Sequence, residues 1–221
     1  MQNFKRFICL LTILFFLILS AGCAQFFHPT VTRPIPVDNL AHYSTYPNNV
    51  KRIIWRAKYL SQQHLGYRFG SANPQNGAMD CSGVIYYILK NLNHHVFVPR
   101  DSYQMYFWLM HHHAIHYVTD ENFYSPQFNA LKPGDLLFWT GTFRTNRKPP
   151  ITHVMLYLGK NKNGQRLMFG SSDGGLYRGE EIYGVSVFDF ILPNRYDHER
   201  FVAYGCIPHF TCSRQKKVVL I

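Results

Sequence analysis

The chain has 221 residues and a hydrophobic fraction of 47%, which exclude an intrinsically disordered protein and fit one domain with a full core. Its formal net charge of +11 favours polyanionic partners, although the charge could equally serve solubility alone. The sequence has no nucleic-acid-binding motif of the usual kinds, no glycine-rich phosphate loop and no dinucleotide fingerprint. We therefore expect no nucleic-acid partner and no cofactor.

Residues 1–22 are predicted to be a signal peptide. A short basic stretch precedes an apolar run over residues 7–19, which has the length of a signal h-region and is too short to span a bilayer comfortably. Small residues then precede Cys23, and this arrangement resembles the bacterial lipobox, in which the cysteine receives the lipid. Because Ser20 stands where the lipobox usually has an aliphatic residue, an ordinary signal peptide or an uncleaved anchor is the alternative. Ala24, rather than Asp, follows the cysteine, so the resemblance implies a lipid anchor in the outer membrane, facing the periplasm.

Cysteine usage agrees with export. Cys9 would leave with the signal peptide, Cys23 would carry lipid, and Cys81 is discussed below. Cys206 and Cys212 remain, and an oxidising periplasm would permit this pair to form a disulfide. In that compartment, a basic protein would meet the anionic cell wall or anionic lipid head groups.

Residues 23–48 are predicted to be a proline-rich tether. The stretch has neither helical nor strand periodicity, and a chain of this composition is semi-extended. We expect it to hold a folded domain, predicted over residues 49–210, away from the membrane. Residues 211–221 are predicted to be a basic C-terminal tail. The prolines of the tether are Pro29, Pro34, Pro36 and Pro47.

Three helices are predicted in the first half of the domain. Apolar residues at helical spacing predict the first over residues 50–65. The second begins at Cys81, with Asp80 as its N-cap, and the third has Asp101 or Ser102 as its N-cap.

Strands are predicted from residue 135 onward. Turn residues separate five candidates, over residues 135–139, 152–158, 166–171, 185–190 and 201–207. Helices followed by a run of strands predict an α+β fold with an antiparallel sheet.

Cys81 is the candidate nucleophile. At the start of a helix, the dipole and the unpaired N–H groups favour a thiolate over a thiol. A thiolate in this position, with a histidine elsewhere in the chain, is the combination that cysteine nucleophiles use. The alternative for any single cysteine is a buried, inert core residue.

His153 is the candidate base among 12 histidines. It lies on a predicted strand, which could hold its ring against the start of the helix. Surface positions are expected for six others, which lie in polar surroundings or on a helix: His94, His95, His111, His112, His113 and His116. His112 and His116 have the spacing of a metal-binding pair, but no acidic third ligand is evident, so no metal site is expected.

Between about Tyr67 and Tyr177 the chain resembles the NlpC-type cell-wall cysteine peptidases. The resemblance implies a papain-like α+β fold, in which N-terminal helices carry the nucleophile at a helix start and pack on a C-terminal antiparallel sheet. It also implies peptidoglycan as the substrate and partner, cut at amide bonds of its stem peptides, usually between D-glutamate and a diamino acid. Five blocks in family order carry the resemblance: Gly66-Tyr67-Arg68-Phe69-Gly70, Asp80-Cys81-Ser82-Gly83, Val98-Pro99-Arg100 with Gln104, Leu131-Lys132-Pro133-Gly134-Asp135-Leu136, and the strand from His153 to Gly159.

The resemblance implies a role for each matching residue. Cys81 would attack an amide carbonyl and form a thioester while His153 carries the proton. The backbone N–H of Cys81 or Ser82 would bind the oxyanion, and the Tyr67 hydroxyl could add a donor.

The family's substrates carry carboxylates, which an arginine could bind. Arg100 is the candidate, with Arg68 as the second choice. Each could instead be a structural or surface arginine.

The chain departs from the family at the third catalytic position. There the family has a polar residue, usually histidine, on the strand after the base strand, and counting places Phe169 at it. A phenyl ring cannot accept a hydrogen bond from imidazole, so we expect His153 to be held less firmly and the enzyme to be weaker. Ser171, Ser172, Asp173 or a backbone carbonyl could orient the ring instead. If the register is as counted, Phe169→His should restore the arrangement.

Two further functions stay open. One is a catalytically weak wall-binding or scaffold lipoprotein on the same fold, which Phe169 favours and the intact Cys81 and His153 disfavour. The other is an acyl-transfer enzyme that acts on lipid or small amide substrates.

Overall fold

Residues 29–212 are described by a computed structural model. The predicted signal peptide, the lipidation site Cys23 and the tail beyond residue 212 lie outside the described residues. None of the helices in residues 29–212 is long and apolar enough to cross a bilayer.

The described chain contains three α-helices and a main sheet of six strands. The helices are α1 (Asn48–Ser61), α2 (Cys81–Leu92) and α3 (Ser102–His111). The strands are β1 (Gly66–Tyr67), β2 (Ala78–Met79), β3 (Ile115–Tyr117), β4 (Leu136–Thr140), β5 (Ile151–Lys160), β6 (Arg166–Ser172), β7 (Leu176–Tyr177), β8 (Glu180–Glu181), β9 (Gly184–Asp189) and β10 (Arg200–Gly205). Four short 3-10 helices cover Val37–Asn39, Tyr43–Thr45, Pro74–Asn76 and Pro126–Phe128.

The main sheet is antiparallel throughout, with the strand order β3-β10-β4-β5-β6-β9. The helices cover one face: the rings of Tyr106 on α3 and Phe138 on β4 meet edge to face, with centroids 5.7 Å apart. Successive strand residues point to opposite faces, so Trp139 lies on the other face, where its ring meets those of Phe190 and Phe201. The architecture confirms the predicted papain-like α+β fold.

The helix boundaries follow from local chemistry. Helix α1 ends before the predicted residue 65, because His64 adopts a left-handed backbone conformation (φ 52°) that no helix continues through. Helix α2 begins at Cys81, as predicted, and Asp80 caps it by accepting a hydrogen bond from the N–H of Gly83 (2.5 Å). In α3 the cap is Asp101, which accepts from the N–H of Gln104 at 2.9 Å.

The tether prediction is wrong for its described part, residues 29–48. Val31 forms a bridge to Tyr183 and Leu40 forms one to Asn161, while Ile35 is buried in the core. The segment contains the 3-10 helices Val37–Asn39 and Tyr43–Thr45, and its apolar residues lie along the folded domain. The domain therefore begins near residue 30 rather than at residue 49.

Candidate active site

Cys81 is buried at the first position of α2, with 7% of its surface exposed. Its neighbours hold the start of the helix: Asp80 caps it, and the Ser82 hydroxyl donates to the same carboxylate oxygen at 3.1 Å. A side chain at Gly83 would collide with the carbonyl oxygen of Ser71. The Asp-Cys-Ser-Gly sequence thus lets the loop before β2 pack directly on the helix that presents the thiol.

The sulfur of Cys81 lies against strand β5. The backbone N–H groups of Val154 and Ser82 lie close enough to the sulfur to lower the pKa of the thiol. The Val154 N–H is available because the ladder between β5 and β6 begins only at the pair Leu156–Phe169. The Cys81 sulfur therefore lies near the backbone of Val154, the residue that follows His153.

The ring of His153 lies on the sheet face away from the helices. His153 pairs with Trp139 across β4 and β5, and the two rings meet edge to face with centroids 5.7 Å apart. Among the hydrogen bonds of residues 29–212, none involves this imidazole. The structure brings Cys81 and His153 to one end of β5 but does not join sulfur and imidazole by a hydrogen bond.

Burial keeps both groups neutral at rest. It raises the pKa of the Cys81 thiol to about 12, aided by the charge of Asp80 and opposed by the N–H groups of Val154 and Ser82 and by Arg100. Burial likewise lowers the pKa of His153 to about 4, although the carboxylates of Asp173 and Asp80 oppose it. The resting state is therefore a thiol, whereas the helix start alone favours a thiolate.

Two cavities meet at this site. Cys81 lines one of about 330 Å³, and His153 lines one of about 760 Å³. A boundary common to both cavities is formed by Tyr67, Phe69, Phe143 and Thr152. A ligand that reaches both groups must cross this boundary.

Tyr67 lies close to the sulfur. Burial raises the pKa of its hydroxyl, and the charges of Cys81, Asp173 and Asp80 raise it further. The hydroxyl therefore stays protonated near neutral pH and can donate a hydrogen bond, as its predicted role requires.

Arg100 supports the helix start. Its guanidinium donates to both carboxylate oxygens of Asp80, at 2.8 and 3.1 Å, and to the Ser82 hydroxyl at 3.0 Å. This geometry matches the structural alternative for Arg100 rather than the predicted contact with a substrate carboxylate.

Arg100→Met is expected to lower the free energy of unfolding by about 2 kcal/mol, because it leaves the Asp80 carboxylate buried (side chain 8% exposed) without its cation. It should also slow alkylation of Cys81, since Arg100 lowers the pKa of that thiol. Urea denaturation and the iodoacetamide rate at fixed pH measure the two effects.

Arg147→Met is the matched control. Arg147 contacts Asp101 at 3.5 Å with both side chains exposed, so its loss should cost less than about 1 kcal/mol. Equal stability of the two variants would contradict the structural role of Arg100.

Phe169 does not lie beside His153. It pairs with Leu156, is fully buried and lies on the helix-covered face, opposite to the face of His153. Continuing the same register places Ser172 across from His153. Phe169, which counting along the sequence assigned to the third catalytic position, is thus a core residue. The carboxylate whose charge acts most on the His153 imidazole is that of Asp173.

Sequence reasoning missed the Trp139 ring, the Val154 N–H and the loop at the far side of the larger cavity. Trp139 could have been found from the cross-strand register of β4 and β5. The loop contributes Asp197 and Glu199, for which no local pattern gave a signal.

Cys206 and Cys212 are joined by a disulfide, with Cα atoms 4.9 Å apart. Within residues 29–212, no three His, Cys, Asp or Glu side chains lie close enough to hold a metal ion.

Residues 64–176 match a protein-family model that is described as the NlpC/P60 family. The matched stretch contains Tyr67, Cys81, Arg100 and His153. Comparison with curated proteins finds no match. Among solved structures, the chain is similar to a protein of Staphylococcus aureus subsp. aureus Mu50 described as similar to lipoprotein, NLP/P60 family. The identity is 20% and the TM-score 0.46, over 84% of this chain and 47% of that one, so the chain spans about half of that structure's length.

Proposed function

The chain belongs to the NlpC/P60 family, and from this premise we propose that it is a cysteine peptidase that cleaves amide bonds in peptidoglycan stem peptides. The observation that carries the proposal is the position of Cys81. Its sulfur is at a helix start, lies near the backbone beside His153 and lines a cavity.

In the proposed reaction, Cys81 attacks an amide carbonyl while His153 accepts the thiol proton. Because both groups are neutral at rest, the proton moves during the attack rather than before it. The C–N bond then breaks, and the protonated imidazole gives its proton to the leaving amine. Water hydrolyses the thioester and regenerates the thiol.

The two side chains must come together for this step, because no hydrogen bond between described residues joins the Cys81 sulfur to the His153 imidazole. The ring of His153 forms no hydrogen bond with a described residue, so no polar contact has to break when it turns toward the sulfur. Catalytic hydrogen bonds are often long in unliganded enzymes and tighten when substrate binds.

The oxyanion has donors at the start of α2. The first N–H groups of a helix lack intrahelical partners, so those of Cys81 and Ser82 are available to an oxyanion on the attacked carbonyl. The protonated Tyr67 hydroxyl is the third donor.

The charges of the two cavities suit the two halves of the substrate. The larger cavity adjoins His153, which protonates the leaving amine, and the ionisable groups of its lining other than His153 and Tyr67 are carboxylates: Asp173, Asp189, Asp197 and Glu199. These groups favour a leaving group with a second amine, as in a diamino acid. The smaller cavity is lined by two Arg–Asp pairs, the partly buried pair of Arg100 with Asp80 and the exposed pair of Arg147 with Asp101. Because its own pair is exposed, Arg147 is the cation available to an acyl group that carries a carboxylate.

The test is digestion of purified muropeptides by the mature chain, with the new amine and carboxyl ends identified by mass spectrometry. Protein blocked with iodoacetamide is the control, because Cys81 is the free cysteine of the described residues. Products that form equally with blocked protein, or no products at all, would contradict the proposal.

The acyl-transfer alternative is favoured by one observation. Apolar side chains dominate the walls of the larger cavity, among them Trp139, Met155, Met168, Phe188 and Leu192. Turnover of N-acyl amides with long apolar groups, without turnover of muropeptides, would favour this alternative.

We place the enzyme on the periplasmic side of the outer membrane, held by lipid on Cys23. Cys23→Ser is expected to move the protein from the membrane fraction to the soluble periplasmic fraction, because serine cannot form the thioether to diacylglycerol. Cell fractionation and mass spectrometry of the N-terminus measure this. A variant that keeps the same lipid modification would contradict the lipobox assignment.

A further inference from the structure

Helix α1 exposes two large aromatic side chains. Trp55 and Tyr59 lie one helical turn apart, and 61% of the surface of each is exposed. The ammonium of Lys58 lies 5.3 Å from the centre of the Trp55 ring. Indole and phenol rings combine an apolar body with a polar end, so they favour the interface between a membrane and water.

The same helix has an unbalanced positive charge. From residue 39 to residue 79 the sequence contains no Asp or Glu. None of the cations on α1 forms an ion pair with a described residue. These cations are Lys51, Arg52, Arg56 and Lys58.

Cations and aromatic rings share one face of α1. The opposite face is buried in the core through Ile53, Ile54, Ala57 and Leu60, so the helix is fixed in the domain. The outward residues at positions 52, 55, 56 and 59 have the spacing of one continuous stripe. A basic helical face with Trp and Tyr is typical of helices that lie on anionic membranes.

We propose that the exposed face of α1 docks the domain on a membrane surface with anionic lipid head groups. The arginines and lysines bind the head groups, and the rings of Trp55 and Tyr59 enter the interfacial layer. This inference concerns a surface separate from the proposed peptidase site and does not depend on its activity.

The path of the N-terminal segment agrees with this placement. Thr32 hydrogen-bonds His64 at 3.0 Å, and Ile35 hydrogen-bonds Ser61 at 3.1 Å, so the first described residues run beside the end of α1. Residues 24–28 alone separate Cys23 from the described chain, and they reach at most about 20 Å. A lipid on Cys23 would therefore hold this end of α1 near the membrane.

Tryptophan fluorescence tests the proposal. The chain has three tryptophans, and Trp108 and Trp139 are only 7% and 4% exposed, so Trp55 dominates any response to lipid. The mature chain with Cys23→Ser is mixed with vesicles of phosphatidylcholine alone or mixed with phosphatidylglycerol. We expect a blue shift and quenching by brominated lipid only with phosphatidylglycerol, both weakened by salt.

Two double variants separate the contributions of the arginines and of the aromatic rings to vesicle binding. Arg52→Gln with Arg56→Gln should lower the partition coefficient about 25-fold, at about fivefold per cation. Trp55→Ala with Tyr59→Ala should also weaken vesicle binding, measured by sedimentation. Arg144→Gln with Lys162→Gln removes the same charge from other exposed positions and should change binding less than about twofold.

Three results would overturn the proposal. One is the absence of binding to phosphatidylglycerol vesicles. Another is an equal loss in the charge-matched control, which would show that net charge alone attracts the protein. The third is a dimer in light scattering that Trp55→Ala with Tyr59→Ala dissociates, which would make this face a contact between two copies. Muropeptide cleavage in solution should be unchanged in all α1 variants, so failure of the proposed function and failure of docking are distinguishable.

Discussion

Cys81→Ala is expected to abolish muropeptide cleavage while the domain stays folded. Removing the nucleophile of such an enzyme lowers kcat by about 10⁶-fold, which is below detection here. The change should cost little stability, about 1 kcal/mol, because it removes one buried sulfur atom that is at most a weak hydrogen-bond acceptor. Product mass spectrometry and thermal unfolding measure the two quantities.

The His153→Ala variant sharpens this test. Loss of the base alone should lower kcat about 10²- to 10⁴-fold, and adding Cys81→Ala should bring the residual rate below detection. A Cys81→Ala protein that cleaves as fast as wild type would show that another residue is the nucleophile.

The pH dependence of Cys81 alkylation reports the resting protonation state. A pKa raised to about 12 means that the thiolate fraction at neutral pH is below that of an ordinary cysteine and rises about tenfold for each pH unit. A thiolate–imidazolium pair at rest would instead give a rate that is already constant above about pH 4. Such a plateau in wild type would contradict the neutral pair.

The start of α2 could be predicted from sequence because its determinants are local. The Asp80 cap, the apolar spacing and the Cys81 position all lie within a few residues of one another. The turn residues before β4 and between the later strands were equally local signals. These features predicted the helix that begins at Cys81 and the strand that carries His153, and the structure contains both.

The orientation of His153 could not be predicted, because a strand presents two faces and tertiary packing decides which one the helices cover. The contact of Tyr106 with Phe138 settles this choice, and it lies far from His153 in sequence. The role of Arg100 was open for the same reason, since its partner Asp80 precedes it by 20 residues.

Packing also explains the error at residues 29–48. Prolines and the lack of periodicity describe an extended backbone, but they do not say whether that backbone is solvated or paired. Its partners, Tyr183 and Asn161, lie more than 100 residues further along the chain. Because residues 29–48 pack on the domain, the domain lies close to the proposed anchor at Cys23.

Phe169→His is expected to lower stability without raising activity. The phenyl ring is fully buried on the helix-covered face, so an imidazole there would lose apolar contacts and lack a hydrogen-bond partner, at a cost of about 3 kcal/mol. It would not reach the ring of His153, which lies on the opposite face. Urea denaturation and muropeptide turnover measure the outcome, and a gain in turnover would show that the strand register is wrong.

Asp173→Asn is the informative comparison, because the Asp173 carboxylate raises the pKa of His153 against the larger effect of burial. Its loss should lower that pKa further and shift the acidic limb of the kcat/KM profile to lower pH. Turnover should fall as well, since the developing imidazolium loses the carboxylate whose charge acts on it most. The variant should unfold like wild type, because Asp173 is an exposed side chain. A lower rate with an unshifted pH profile would mean that Asp173 acts on the substrate instead. An unchanged rate would mean that Asp173 has no role in turnover and that the backbone of β5 alone positions His153.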